Sequence, residues 1–400
     1  MARLETTRAA RGNLADLLCF SHLRWNFVFQ RPQHLLSRFA RERRVFFFEE
    51  PVYGTAGSHL EESESREGVR VATPHLPSGL SETQIIALQR GLLNAFMAEH
   101  EIERPITWYY TPMALPFSRH LRARATAYDC MDELSGFRGA PASLLELEGE
   151  LLDRADVVFT GGVSLYEAKQ HLHRNIHACP SSVDTAHFAR ARGKLPAPPD
   201  QAALRHPLLG FFGVVDERLD LALVGSLAAL RPDWDLVILG PVVKIDPATL
   251  PRAPNLHYLG SKAYGDLPNY LSGWDVALMP FALNESTRFI SPTKTPEYLA
   301  AGKPVVSTRI RDVERPYGEL GLVQIADSAQ DFVSAIAGCL AEDAALRQPR
   351  VEAFLSHNSW DDTWGRMRGL LESAATGKPI KPTESRRISV LRQSSPGEQL

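Results

Sequence analysis

The sequence lacks the short motifs that mark the commonest nucleotide-binding and hydrolytic proteins. Neither of its two predicted α/β units has G-x-G-x-x-G after the first strand, which disfavours a dinucleotide-dependent oxidoreductase. The motif G-x-x-x-x-G-K-[ST] is missing, which argues against a P-loop NTPase. The zinc-protease motif H-E-x-x-H and the nucleophile elbow G-x-S-x-G are missing too.

Cysteine is scarce, and there is no large excess of charge of either sign. The four cysteines, Cys19, Cys130, Cys179 and Cys339, show no C-x-x-C spacing. We therefore expect reduced, mostly buried thiols of a cytosolic protein rather than zinc ligands or disulfides. The 44 basic and 47 acidic residues give a net charge of −3, which argues against a nucleic-acid partner bound through bulk charge.

Long hydrophobic runs are absent. The longest, such as residues 45–48, have about four residues, whereas a bilayer span needs roughly 20. The first sixteen residues contain no apolar stretch typical of a secretory signal, so we expect a cytoplasmic protein. Arginines 386, 387 and 392 could make a weak peripheral contact with the inner face of a membrane, or could belong to a solvated tail.

Short apolar runs alternate with helix-period segments along the chain. A length of 400 residues suggests two or three domains of about 150 residues each. In the first unit we predict strands and helices that indicate an α/β fold with a parallel sheet covered on both faces. The predicted strands are 15–20, 44–48, 69–73, 106–110, 125–128 and 155–160, and the predicted helices are 32–40, 81–100, 143–152 and 163–172.

A segment rich in proline, alanine and charge, 190–207, predicts an extended linker, after which the alternation restarts. The second unit has predicted strands at 208–213, 235–239, 256–259, 274–279, 304–307 and 321–325, and predicted helices at 219–230, 265–272, 292–301, 328–341 and 349–373. The expected division is a flexible N-terminus (1–14), an N-terminal domain (15–192), a linker (193–207), a C-terminal domain (208–350), a returning helical segment (351–373) and a disordered tail (374–400). Two such sheets place a ligand cleft between the carboxyl ends of their strands.

The segment 280–307 is the most informative stretch of the sequence. Following a strand that ends at Met279, we predict Ser291 as the N-cap of a helix with Pro292 at its first position and Gly302 just past its end. Lys294 then lies in the first turn, where an anionic ligand would explain a cation, and Glu297 could accept hydrogen bonds from adjacent hydroxyls such as those of a ribose. The alternatives are a solvated lysine and an ion pair between these two residues.

The stretch SPTKTPEYLAAGKPVVST (291–308) resembles the donor-site signature of GT-B glycosyltransferases of the group-1, family-4 type. The resemblance covers roughly residues 15–373 and implies two Rossmann-like domains facing across a cleft, with a C-terminal helix that crosses back to the N-terminal domain. Glu297 matches the second Glu of the family's E-x7-E motif, which holds the donor ribose. The first Glu falls at Phe289, a departure that Asn284 or Glu285 could offset by a shift of the loop.

The resemblance also implies a donor site built from several C-terminal segments. GFFGVVDERLDL (210–221) occupies the place of the glycine and basic ligands of the diphosphate. The implied diphosphate-binding residues are Gly213, Arg218, Ser291, Thr293 and Lys294. The implied ribose- and base-binding residues are Glu297, Gly240, Gly260, Ser261, Lys262 and Tyr264, where Tyr264 could stack on a base or could be a packed core tyrosine.

Two segments of the first unit follow predicted strands at the same edge. The segments HLRW (22–25) and QRPQH (30–34) resemble those of a narrower, bacterial polysaccharide-associated set of these enzymes. We expect the side chains of this region to face the cleft and bind the acceptor, namely His22, Arg24, Trp25 and Arg31. Asp129 and Asp132, after the strand at 125–128, could act as a base or bind a hydroxyl, with a helix cap as the alternative for Asp132.

The function implied by the resemblance is a retaining hexosyltransferase of cell-surface polysaccharide synthesis. It would use a nucleotide-diphosphate sugar and a glycan or lipid-linked acceptor, with no metal, no other cofactor and no nucleic acid. Lys294, Arg218, Asp129 and Asp132 are the expected catalytic residues, of which the two cations would stabilise the leaving nucleoside diphosphate. A GT-B sugar-nucleotide epimerase and a non-catalytic nucleotide-sugar-binding protein remain as alternatives.

Overall fold

The computed structural model describes residues 14–377, and it contains two α/β domains. The sheet of the N-terminal domain has the strand order β3-β5-β2-β1-β6-β7-β8-β9, with β4 antiparallel to β5. Its strands are β1 (Leu17–Ser21), β2 (Val45–Glu49), β3 (Val52–Tyr53), β4 (His59–Glu64), β5 (Val69–Leu76), β6 (Ile106–Tyr109), β7 (Ala125–Cys130), β8 (Val157–Thr160) and β9 (Ile176–Ala178). The other neighbouring strands in this sheet are parallel, as the buried apolar runs predict.

Helices cover both faces of this sheet and bury its two apolar clusters. They are α1 (Arg31–Phe39), α2 (Glu82–Glu99), α3 (Leu115–Ser118), α4 (Leu144–Arg154) and α5 (Val163–Lys169). The next helix, α6 (Thr185–Ala189), instead buries Phe188 in the core of the C-terminal domain. Pro32 lies in the first turn of α1, and Ser81 caps α2 with the reciprocal Ser81–Gln84 contacts that the sequence predicts.

The C-terminal domain has a parallel sheet with the strand order β12-β11-β10-β13-β14-β15. Its strands are β10 (Leu208–Phe212), β11 (Asp235–Leu239), β12 (Leu256–Gly260), β13 (Val276–Met279), β14 (Val305–Ser307) and β15 (Gln324–Ile325). Its helices are α7 (Leu221–Leu230), α8 (Leu267–Ser272), α9 (Lys294–Ala300), α10 (Arg311–Val313), α11 (Ala329–Ala341) and α12 (Ala344–Leu355). The carboxyl ends of the strands carry the loops that face the first domain.

The last helix, α13 (Trp360–Thr376), returns to the N-terminal domain. Its Trp360, Met367 and Leu371 are buried in the same cluster as the strands β1, β2 and β6. Arg38 of α1 donates from Nε and Nη2 to the carboxylate of Asp361 at 2.9 and 3.1 Å. The two domains are therefore joined by the linker and by this crossing helix, as in the predicted fold.

The structure divides the end of the chain differently from the sequence prediction. The helix predicted over 349–373 is two helices, since the chain breaks at residues 356–359. Val351 and Leu355 are buried in the C-terminal core, so the return begins at Trp360 rather than at 351. Residues 374–376 continue α13, and the remainder of the tail predicted to be disordered, 378–400, lies outside the described residues.

Candidate functional site

A cavity of about 600 Å³ lies between the two domains at the carboxyl ends of their strands. That volume falls in the range of pockets that hold small-molecule ligands. The structure brings together at its wall most of the residues predicted for the donor: Gly213, Arg218, Gly240, Ser261, Lys262, Tyr264, Thr293, Lys294 and Glu297, together with Trp25 of the first domain. The remaining predicted residues lie elsewhere.

Lys294 begins α9 and lies against the glycine that follows β10. Gly213 has φ +147, a conformation that side chains disfavour, and a Cβ there would overlap Cε of Lys294. The ammonium group lies 5.7 Å from the ring of Phe211 and 5.8 Å from that of Phe281. Among residues 14–377 it forms no salt bridge or hydrogen bond. Burial, together with the charge of Arg218, lowers the pKa of Lys294 to about 8.

Glu297 lies one turn along α9 and is 5% exposed. Burial raises the pKa of its carboxyl to about 7, although Lys294 and a hydrogen bond from Thr293 act in the opposite direction. Within the described residues, its Oε2 has no hydrogen-bond partner. The alternative of a tight Lys294–Glu297 ion pair is not what the structure shows, because no salt bridge joins the two groups. A buried, unsatisfied acceptor at a cavity wall is suited to a ligand hydroxyl.

Arg218 is held by the carboxylate of Asp216, which is 2% exposed. Its Nε donates to Oδ1 and Oδ2 at 3.0 and 3.2 Å, and its Nη2 donates to Oδ2 at 2.8 Å. Burial opposes the charge of Arg218, yet its pKa is raised because Asp216, Asp132 and Glu217 lie nearby. A charged guanidinium therefore reaches the cavity with a fixed orientation.

The loops after β11 and β12 form the wall beside Glu297. Gly240 has φ +137, and a Cβ there would overlap the carbonyl oxygen of Gly213. Only glycine at position 240 therefore allows the loops after β10 and β11 to come this close. Lys262 is paired with Asp200 at 2.6 Å. Ser261 lines the cavity, whereas Gly260 is exposed and does not.

Tyr264 is packed rather than free to stack on a base. Its ring is stacked on His187 and on Phe29, with centroids 4.3 and 4.6 Å away. This arrangement matches the alternative of a packed tyrosine. Its hydroxyl is buried without a partner among the described residues, and burial and the charge of Glu297 raise its pKa. The hydroxyl, not the ring face, is the part available to a ligand.

The prediction that Ser291 caps the helix is wrong. The helix begins at Lys294, and Thr293 occupies the N-cap position in helical conformation (φ −57, ψ −28) without a side-chain hydrogen bond that caps the helix backbone. Ser291 does not line the cavity but lies against Gly162 of the first domain, where a Cβ would be 2.9 Å from Cβ of Ser291. The end of the helix is as predicted, since Gly302 has φ +76.

The expectation that Arg31 faces the cleft is wrong, and Asp129 is not accessible there either. The two side chains, 1% and 0% exposed, form a buried pair in which Nη2 of Arg31 lies 2.8 Å from Oδ1 of Asp129. Nη1 of Arg31 donates to the carbonyl of Cys179 at 2.7 Å. A buried and fully hydrogen-bonded pair of this kind cannot reach a substrate, so it supports the strands behind the cleft.

Arg24 and Trp25 fix the loop after β1. Arg24 donates from Nη1 to Oε2 of Glu49 at 2.9 Å and to the carbonyl of Glu50 at 2.5 Å, so its guanidinium is engaged in the loop. Trp25 lines the cavity but is only 5% exposed, with its ring 5.1 Å from that of Phe47. His22 lies next to the second domain, and burial and the charge of Lys244 lower its pKa to about 4.

Asp132 is the predicted acidic residue that does approach the cations of the second domain. Burial raises its pKa, and the charges of Arg218, Arg31 and Lys294 oppose that rise. Sequence reasoning missed its neighbour Phe137, whose ring contacts Arg218, and also Lys244. No signal in the sequence pairs these residues, because they come from loops of different domains.

The position of the family's first Glu is occupied by a residue that joins the domains. Phe289 packs against an apolar cluster of the N-terminal domain. Asn284 donates from Nδ2 to the carbonyl of Glu217 at 3.0 Å, and its Oδ1 accepts from the amide of Ser286. The Glu285 side chain is 76% exposed beside Arg288. Neither side chain therefore replaces the missing carboxylate in the cavity.

Two further features bear on ligands and location. Within residues 14–377, the acidic and histidine side chains close enough to share a metal ion are Glu62, Glu99 and His100, which lie outside the cavity wall. In the same range no helix combines the length and apolar character needed to traverse a bilayer.

Comparison with known proteins shows what this chain resembles. Residues 206–342 match the family model described as glycosyl transferases group 1. Over 239 residues the chain is 27% identical to TuaH of Bacillus subtilis (strain 168), whose name describes a teichuronic acid biosynthesis glycosyltransferase. The match covers 54% of this chain and 59% of TuaH, so the chain spans less than two thirds of that relative.

Solved structures of low sequence identity share the fold over nearly the whole described chain. HepE of Anabaena in complex with UDP and glucose is 13% identical with a TM-score of 0.65, covering 90% of this chain and 100% of HepE. The Escherichia coli trehalose-6-phosphate protein bound with UDP-2-fluoro glucose is 13% identical with a TM-score of 0.64, covering 90% and 99%. Residues 206–342 are thus similar to a group 1 glycosyltransferase domain, and the chain as a whole has the GT-B fold.

Proposed function

We propose that the protein is a retaining glycosyltransferase that moves a hexose from a nucleotide-diphosphate sugar to a glycan or lipid-linked acceptor in cell-surface polysaccharide synthesis. The observation that carries the proposal is the interdomain cavity, whose C-terminal wall presents Lys294, Arg218 and the carboxylate of Glu297, with one carboxylate oxygen unpaired among residues 14–377. Lys294 and Arg218 match the charge of a diphosphate, and Glu297 matches a pair of ribose hydroxyls. The similarity to TuaH supports the choice of pathway.

The chemistry follows from the charge that develops when the anomeric bond breaks. The departing nucleoside diphosphate gains negative charge, which Lys294 and Arg218 stabilise in a site that excludes water. Asp132, on the loop of the facing domain, lies close enough for the charges of Arg218 and Lys294 to act on its carboxyl, and it would bind a sugar or acceptor hydroxyl. Asp129 acts indirectly in this scheme, because its pairing with Arg31 holds the strand end from which Asp132 projects.

The two cations do the charge neutralisation that a metal ion would otherwise supply, so the proposed reaction needs no metal or other cofactor. Turnover should accordingly be unchanged by EDTA. The proposed location is the cytoplasm, where nucleotide sugars are made, with acceptors reached at the inner face of the membrane. Loss of turnover on chelation and its recovery with a divalent cation would contradict this part of the proposal.

The first experiment is thermal shift of the purified protein against UDP, GDP, ADP and dTDP sugars. A sugar present at 100 times its Kd should stabilise the folded protein by about 2.7 kcal/mol. The stabilising sugar is then incubated alone and with oligosaccharide or lipid-linked acceptors, and the anomeric configuration of the product is read by NMR. A donor converted without an acceptor to its epimer would indicate an epimerase, and binding without any turnover would indicate a non-catalytic binding protein.

A further inference from the structure

A loop of the N-terminal domain places the aromatic ring of Phe137 against two cationic side chains of the C-terminal domain. The loop follows β7 and contains the 3-10 turn Leu134–Gly136. The ring centroid of Phe137 lies 5.5 Å from Cζ of Arg218 and 5.2 Å from Nζ of Lys244. One ring of the first domain thus contacts two cations of the second, at distances typical of cation–π interactions.

The loop that carries this ring packs closely against the C-terminal domain. The preceding residue, Gly136, approaches the C-terminal domain so closely that a Cβ would lie 2.8 Å from the carbonyl oxygen of Glu285. From the other side, Phe289 packs into the N-terminal cluster. Since closely packed surfaces have little freedom to slide, the ring of Phe137 keeps its place over Arg218 while the domains are in contact.

The contacts of Arg218 leave one nitrogen of its guanidinium for a ligand. Asp216 accepts from Nε and Nη2, whereas Nη1 forms no hydrogen bond among residues 14–377. The ring of Phe137 lies against the carbon that carries all three nitrogens. The ring therefore restricts rotation of the guanidinium and stabilises its charge without occupying any of its N–H hydrogen-bond donors.

Lys244 reaches the same ring from a strained backbone. Its φ is +62, in the left-handed region that a residue with a Cβ adopts only at a cost. Burial lowers the pKa of His22 and raises that of Glu50, and the charge of Lys244 acts on both groups, so Lys244 lies beside the ends of β1 and β2 of the facing domain. The two cations and the ring join the domains at the edge of the cleft.

We propose that Phe137 is a positioning residue, whose ring orients Arg218 toward the diphosphate and makes that orientation depend on contact between the domains. The inference rests on the proposed function, in which Arg218 binds the leaving diphosphate. Because the charge on that group grows in the transition state, removal of the ring lowers kcat more than it raises KM.

The test compares Phe137→Leu, which keeps apolar volume but removes the ring, with Phe137→Tyr, which keeps the ring. Turnover is measured with the nucleotide sugar that most stabilises the wild type in the thermal-shift panel, and UDP affinity is measured by calorimetry. We expect Phe137→Leu to lower kcat by roughly 5- to 30-fold, with KM and UDP affinity changed less than about threefold. Phe137→Tyr should retain wild-type kcat.

Two controls separate positioning from packing. Phe289→Leu loosens the same domain interface but keeps the ring of Phe137, so it should lower the melting temperature and lower kcat less than Phe137→Leu does. Arg218→Lys should make the effect of Phe137→Leu largely disappear, because the ring acts through the guanidinium. Wild-type kcat for Phe137→Leu, or additive effects of the two substitutions, would overturn the inference while leaving the proposed function intact. A wild-type protein without turnover on any panel sugar would overturn both.

Discussion

Replacing Glu297 by glutamine should stabilise the folded protein above neutral pH while weakening donor binding. In the folded chain, burial raises the pKa of this carboxyl from its ordinary 4.5 to about 7. Below pH 4.5 the group is protonated in both folded and unfolded states, so it adds no pH-dependent penalty. As the pH rises from 4.5 through 7, the unfolded chain loses the proton first, and the folded state loses stability relative to it.

The size of this effect follows from the two pKa values. The difference between about 7 and 4.5 corresponds to roughly 3 kcal/mol, all of which is lost above pH 7. Glutamine cannot ionise, so the variant escapes that loss. It also removes the attraction that Glu297 exerts on the buried ammonium of Lys294, which offsets part of the gain. We therefore expect a net stabilisation of about 1–3 kcal/mol at pH 8 and little difference at pH 4.5.

The assay is thermal unfolding of wild type and Glu297→Gln across pH 5 to 8, each with and without UDP. The difference in melting temperature should grow with pH to on the order of 5 °C at pH 8. Added UDP should raise the melting temperature of the wild type more than that of the variant, because the ribose loses its carboxylate partner. A variant that is less stable than wild type by the same amount at every pH would show that the carboxylate is structural.

Three further outcomes test the site and the domain interface. Lys294→Ala should lower kcat/KM by on the order of 10²-fold or more, and a near-wild-type rate would remove this lysine from the site. Gly213→Ala should lower both the melting temperature and donor affinity, because φ is +147 there and Lys294 lies against it; unchanged donor affinity would contradict the assignment. Asp312 of the second domain accepts hydrogen bonds from the amides of Val163 and Ser164 at 2.8 and 2.9 Å, so Asp312→Ala should lower the melting temperature and increase the radius of gyration in small-angle scattering. An unchanged radius would show that this contact does not hold the domains together.

Local patterns were sufficient to predict the two sheets, and the resemblance implied most of the residues at the C-terminal wall of the cavity. The apolar runs at 208–213, 235–239 and 274–279 coincide with β10, β11 and β13 to within about two residues at either end. Parallel strands end at one edge of their sheet, so the loops that follow them must meet there. For this reason the loop that carries Lys294 could be predicted to face a cleft from the order of the elements, whereas the place of Gly213 followed from the resemblance.

Contacts between distant residues explain the wrong predictions. Arg31 follows the loop after β1, a position where many side chains face a cleft, but it turns inward to Asp129, 98 residues away. A sequence shows that both residues are charged and cannot show that they neutralise each other. The same limit applies to Ser291, whose place is decided by contact with Gly162 of the other domain rather than by its own capping preference.

The domain interface explains why the departure at residue 289 is compatible with a donor site. Phe289, Asp312 and Phe137 fix the two domains against each other, and this contact brings the loop of Asp132 to the cations of the second domain. Lys294 and Arg218 repel each other there, since the charge of Arg218 helps to lower the pKa of Lys294. An anion between the two would offset that repulsion, which supports the proposal that a diphosphate binds there. Binding energy at this cleft would then come from relief of an unfavourable contact as well as from new hydrogen bonds.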